Sequence, residues 1–225
     1  MRRLFLRIVA VAIALGLIAA AAWLFATRWH PSPEDYPIQG VDVSARNGSV
    51  DWHMVHARGA DFAYALATSG ANDRDAQFER NWSAIADAGM RRGAMHRFSL
   101  CDTAEAQAAN FVRTVPRTRD ALPSALELAF DPGCSARPDP QEAARDVATF
   151  LTLTERHMGK PMVLEISPAF DAQYHLSSEL PRTIWAERFF FRPSYPAKPW
   201  RMWRASTIRR VDGADGPINW DVVAP

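Results

Sequence analysis

From Ile8 to Ala26 the chain carries no charged residue, and this run limits the possible folds more than any other feature. About 19 residues at 1.5 Å rise make a helix of roughly 28 Å, close to the hydrocarbon thickness of a bilayer. In lipid a helix is the one open segment able to cross, because it satisfies its own backbone groups. Arg2, Arg3 and Arg7 precede the run. Trp23 and Trp29 lie near its far end, where amphipathic rings favour the interface. Residues 1–28 therefore read as a cytoplasmic tip and a transmembrane signal anchor. The chain would be single-pass in the inner membrane through residues 8–26, with its domain in the periplasm. Two alternatives stand. Ala19-Ala20-Ala21 offers a cleavage site for a secretory signal, which would release the domain, although apolar residues continue through Trp23, Leu24 and Phe25. The other is a buried helix of a soluble core.

Three prolines in His30-Pro31-Ser32-Pro33-Glu34-Asp35-Tyr36-Pro37 disfavour helix at the residues before them, so 29–37 reads as an extended linker. Residues 38–225 are then long enough for one domain with a substantial core. The 26 Lys and Arg nearly balance the 25 Asp and Glu, so no field of one sign argues for nucleic acid. The only cysteines are Cys101 and Cys134. In an exported domain a lone pair is usually oxidised, and a bridge closing that loop stabilises by about 3–4 kcal/mol in the chain-entropy model. Two unpaired buried thiols are the alternative, and two cysteines alone cannot form a structural zinc site. There is no Gly-rich phosphate loop, metal-ligand spacing or Ser-His-Asp arrangement, so neither cofactor nor metal is expected.

Short apolar runs alternate with amphipathic segments. Strands are expected over 40–44, 61–68, 92–98, 125–130, 162–167, 183–187, 201–205 and 218–222. Phe78, Trp82, Ile85 and Ala86 recur at helical spacing, as do Ala104, Ala108, Phe111 and Val115, with Thr103 as N-cap. Pro140 opens a third helix. Strand–helix alternation predicts a parallel sheet, and about eight strands predict a closed barrel. The fold class is thus α/β: an irregular TIM-like β/α barrel preceded by one N-terminal transmembrane helix. The irregularity follows because the last strands leave no room for full helices. In such barrels the site forms at the C-terminal strand ends, here Asp42, Thr68, His96, Glu127, Glu165, Glu187 and Asn219.

The same segments carry a resemblance. Gly40-Val41-Asp42-Val43-Ser44 resembles the G-I-D-V-S opening strand of glycoside hydrolase family 25, and Val50-Asp51-Trp52 its I-D-W turn. Gly93-Ala94-Met95-His96-Arg97-Phe98 resembles G-A-Y-H-F-F. Leu122-Pro123 and Phe130-Asp131-Pro132-Gly133 bracket the catalytic strand, and Gly213-Ala214-Asp215-Gly216-Pro217-Ile218 resembles G-I-x-G-P-V. The likeness covers nearly all of 38–223. It implies a lysozyme-like fold acting on the bond between N-acetylmuramic acid and N-acetylglucosamine in peptidoglycan.

Glycosidic cleavage needs an acid for the leaving oxygen and a carboxylate beside the oxocarbenium-like state. The family supplies both from an Asp-x-Glu pair, which alternation puts on one face of a strand. Here the strand reads Ala125-Leu126-Glu127-Leu128-Ala129, so Glu127 takes the Asp position and Ala129 that of the catalytic Glu. Sliding the strand by two residues makes Glu127 the acid but breaks both flanking matches. General acid catalysis is typically worth about 10²–10⁴ in rate, and alanine supplies none of it. The family's K-A-T-E-G is Leu66-Ala67-Thr68-Ser69-Gly70, its W-Q-Y is Trp203-Arg204-Ala205, and its final-strand Asp is Asn219.

Candidate catalytic residues are Asp42, Glu127 and Glu165, the last a carboxylate among Val163, Leu164 and Ile166 whose pKa rises if buried. The alternative for Glu165 is a rim residue paired with an arginine. His96, Trp203, Asn219 and Asp221 are candidate substrate-binding residues. Two functions follow: a peptidoglycan-directed muramidase-type hydrolase with impaired or rewired catalysis, or a non-catalytic module derived from that family that binds peptidoglycan or a protein partner.

Overall fold

The computed structural model describes residues 2–225. Helix α1 (Arg2–Arg28) takes in the whole apolar run; it is long and apolar enough to cross a membrane, and its most apolar stretch is not buried against the rest of the chain. The first strands are β1 (Gln39–Val43), β2 (Phe62–Ser69), β3 (Asp73–Arg74), β4 (Arg91–Arg97) and β5 (Ala125–Leu128). They continue as β6 (Val163–Ile166), β7 (Thr183–Glu187), β8 (Met202–Arg209) and β9 (Ile218–Val223). Between them lie α2 (Trp52–Ala57), α3 (Phe78–Asp87), α4 (Ala104–Thr114), α5 (Pro140–Met158), α6 (Pro168–Tyr174) and α7 (Leu176–Glu179).

Eight of the strands close a barrel, because β1 pairs with both β2 and β9; β3 is a short hairpin arm on the end of β2. The expected parallel order holds from β1 through β8. It fails at β9, which runs antiparallel to both neighbours. The connection 210–217 is too short for the crossover a parallel strand needs, so the chain returns as a hairpin. The strand expected to reach Phe130 ends at Leu128, which leaves Ala129 just beyond β5.

Local chemistry sets the helices. Thr103 accepts from Ala106 N at the start of α4, as expected. Asp139 caps α5 through Glu142 N ahead of Pro140, and Gly159 ends it in the left-handed region. Inside the barrel the lower layer is apolar, with Phe62, Tyr64, Met95, Val163, Trp185 and Met202 in contact. Two glycines make room for its rings. A Cβ on Gly93 would sit 2.3 Å from the Tyr64 ring, and one on Gly40 2.5 Å from Phe62. The opposite faces of the strands pack against the helices in a larger core.

Cys101, after β4, is bonded to Cys134, after β5, as expected. The segment 29–37 is more than an extended linker. It turns at residues 33–35 and lies on the outside of the barrel, with Trp29 packed on Phe190 and Trp203, His30 on Trp220, and Tyr36 on Trp200 and Trp203. Gln39 Nε2 donates to the carbonyls of Pro31 and Tyr36 and fixes the path.

Candidate active site

Pairing register builds the site. Arg97 lies beside Glu127, Glu127 beside Glu165, Glu187 beside Arg204, Arg204 beside Asp221, and Asp42 beside Asn219. Neighbouring strands thus bring these residues, facing inward, to adjacent levels above the apolar layer, with Asp221 one step below Asn219 on β9. A cleft of about 190 Å³ opens there, lined among others by Asp42, Arg46, Arg97, Glu127, Arg204 and Asn219. A larger depression of about 630 Å³ lies between α4 and α5, away from this level, and touches none of these residues.

Arg204 is the centre of the cluster and is buried. Its Nε and Nη2 reach Asp42 Oδ2 at 3.0 and 2.9 Å. Its Nη1 lies 3.1 Å from Glu165 Oε1 and 3.4 Å from Glu187 Oε2, and its Nε 4.0 Å from Asp221 Oδ1. Asn219 Nδ2 donates to Asp42 Oδ1 at 2.7 Å. Arg97 Nε donates to Glu127 Oε2 at 3.1 Å. Five carboxyls therefore share two guanidiniums.

That imbalance decides protonation. Neither oxygen of Glu165 or Asp221 has an aligned hydrogen bond, although Arg204 is within ion-pair distance of both groups. Burial drives the Glu165 pKa well up, Arg204 opposes it, and the surrounding carboxylates push it further. Asp221 is raised well above its ordinary value by burial and by Asp42, against Arg204. Glu187 is raised by burial, with Arg204 again opposing. Arg204 stays firmly charged, because its carboxylate neighbours outweigh the penalty of burial.

The structure brings together Asp42, Glu127, Glu165, Asn219 and Asp221 from the sequence reading. Glu165 does pair with an arginine, but deep beneath the mouth rather than at its rim. His96 and Trp203, expected to touch substrate, do not reach the cleft. Strand alternation turns both to the outer face, where His96 is fully buried against Phe150 and Trp203 lies under Trp29 and Tyr36. Trp220 faces outward as well, covered by Arg209 at 3.5 Å. Sequence reasoning missed Arg97 and Arg204. Both were visible as departures from G-A-Y-H-F-F and W-Q-Y, but Arg204 counted as a lost Gln and not as a gained charge. Among the described residues, no group of His, Cys, Asp or Glu side chains is placed to hold a metal.

An irregular eight-stranded barrel with carboxyls at the C-terminal ends of its strands defines a glycoside-hydrolase-like α/β barrel. The chain belongs to the glycosyl hydrolases family 25, whose model matches residues 41–214. It is similar to a family 25 glycosyl hydrolase from Bacillus anthracis, with a TM-score of 0.79 and 26% identity over 87% of this chain and 92% of that one. The bacterial lysozyme from Streptomyces coelicolor shares the fold, with a TM-score of 0.75 and 24% identity over 83% of this chain and 91% of that one. Among curated proteins, YegX of Escherichia coli K12, described as uncharacterized, is 31% identical over 84% of this chain and 71% of its own length.

Proposed function

We propose that this is a peptidoglycan-directed, lysozyme-like domain tethered to the inner membrane by α1 and facing the periplasm, with its glycosidase chemistry impaired. The observation that carries the reading is Arg204. It stands where the family motif has a glutamine and binds into the carboxyl cluster a cleaving site would use. The two acids with strongly raised pKa, Glu165 and Asp221, could hold a proton but are buried beneath it. The carboxylates that line the cleft, Asp42 and Glu127, are each engaged by an arginine. Ala129 offers no donor.

Such a mouth keeps a groove for glycan, but each of its acids, Glu187 included, is buried or paired with an arginine. Binding without turnover is the expected behaviour. Purified protein incubated with peptidoglycan should release no muropeptides above background and should sediment with insoluble sacculi. Muropeptides that disappear in Glu127→Gln would overturn the impairment and support a rewired hydrolase. Failure of both release and binding would leave a protein partner as the ligand of this mouth.

A further inference from the structure

The loop between β7 and β8 departs from what a soluble surface carries. It begins Arg188-Phe189-Phe190-Phe191-Arg192. Phe191 is 66% exposed, more than any other large apolar side chain outside α1, and Phe189 is 39% exposed. Phe190, between them, has a positive φ of 64°, unfavourable for a bulky residue. That turn lays its ring on Trp29 at 5.1 Å, while Phe189 and Phe191 stay outside. The arginines brace the loop. Arg188 lies over the Phe191 ring and donates to Arg192 O and Ser194 Oγ, and Arg192 lies over Trp200.

The position of the loop gives it meaning. Trp29 immediately follows α1, so Phe190 touches the residue at which the apolar helix ends. The junction is fixed. Thr27 is buried, its carbonyl accepts from Arg210 N at 2.7 Å, and exposed Arg28 and Arg210 flank it. Exposed phenyl rings between arginines, one ring contact from the end of an apolar helix, match the interface of a bilayer. Aromatic rings settle at the headgroup level, and arginines pair with lipid phosphates.

We propose that the tip of the β7–β8 loop seats on the outer surface of the same bilayer that α1 spans, with Phe189 and Phe191 in the headgroup region and Arg28, Arg188, Arg192 and Arg210 on lipid phosphates. The proposal rests on the tethered reading above. It also sets the orientation of the domain. The loop leaves the C-terminal end of β7, and Arg210 follows the C-terminal end of β8; both are at the mouth end of the barrel. The mouth rim on this side is therefore held toward the membrane, and the glycan it takes is membrane-proximal.

The test uses the full chain reconstituted in vesicles of phosphatidylethanolamine and phosphatidylglycerol. The native cysteines are bonded to each other, so an introduced thiol labels alone. An environment-sensitive fluorophore is placed at Phe191→Cys and, as control, at exposed Gln141→Cys on α5. The expected result is a blue-shifted emission at position 191, quenched by nitroxide lipids, with position 141 aqueous and unquenched. Adding R188E and R192E should reduce the quenching, and vesicles of phosphatidylcholine alone should reduce it too. A chain that floats with the vesicles but shows both labels equally aqueous overturns the proposal and leaves the tether intact. A chain that does not float overturns both.

Discussion

The two faces of the barrel sheet each bury an ionisable side chain, and they do so by opposite means. On the outer face His96 is fully enclosed by neutral partners. Gln107 Nε2 is committed to the carbonyls of Ser99 and Asp102, so its Oε1 faces His96 Nε2 at 3.2 Å and accepts the ring proton. Nδ1 then accepts from Thr68 Oγ1 at 2.7 Å. With both nitrogens used, burial lowers the His96 pKa to about 4, and the ring is neutral. On the inner face Glu165 has no such partners. It depends on a cation, Arg204, and on keeping its own proton. The outer pocket is a closed hydrogen-bond circuit, whereas the inner cluster hangs on one side chain.

The largest effect should come from Arg204→Met. Removing one partner of a buried ionic cluster typically costs about 3–5 kcal/mol, because the remaining charges are left uncompensated. Urea unfolding at neutral pH should show that loss. A cost under about 1 kcal/mol would mean that the carboxyls manage their own protons, and the contrast between the faces would dissolve. Next is the bridge between the loops after β4 and β5. Replacing Cys101 and Cys134 by serine should lose about 3–4 kcal/mol on the chain-entropy account, with faster amide exchange in those loops at the mouth. Unchanged stability in the double variant would remove the bridge from the account of the mouth.

His96 gives the acid limb. Its folded pKa lies below the unfolded value of 6.5, so the unfolded chain binds the proton more readily. The stabilisation is complete above pH 6.5 and is lost as pH falls toward 4, by about 3 kcal/mol if the whole shift is expressed. His96→Gln should flatten this limb, and an unchanged slope would show that the ring titrates freely and that the pocket is not closed.

Much of this was legible in the sequence, for reasons that differ by region. Strand positions came from apolar runs bounded by turn residues, and the family motifs fixed their order, so the level holding Asp42, Glu127 and Glu165 was predictable. The antiparallel return of β9 was not, because a strand's composition does not state its direction; only the short connection 210–217 hinted at it. His96 and Trp203 were misplaced for a related reason. A residue near a strand end belongs to the site only if its parity turns it inward, and these two turn outward. Parity could have settled this. Met95 and Arg97 flank His96, and Met202 and Arg204 flank Trp203, so if the flanking residues face inward these two cannot. The role of Arg204 depended on contacts among five strands distant in sequence, which no local pattern encodes.

The smallest effect is also the sharpest. Glu165 has a folded pKa raised above its unfolded value, so its contribution is fully present below about pH 4.3 and is lost as pH rises through the folded pKa. This is the reverse of the His96 limb. Glu165→Gln keeps the shape of the protonated acid but has no proton to lose. Below about pH 4.3, where the acid is protonated in both the folded and the unfolded chain, the change should be under about 1 kcal/mol, the scale of one exchanged neutral hydrogen bond. As pH rises from there toward the folded pKa, the variant should lose stability less steeply than the parent. It should not become flat, because Asp221 is raised for the same reason and its own limb persists. Parallel unfolding curves for parent and variant across that range would mean that Glu165 is ionised at neutral pH. The inner face would then be a plain ion-pair cluster, with no acid held in reserve beneath Arg204.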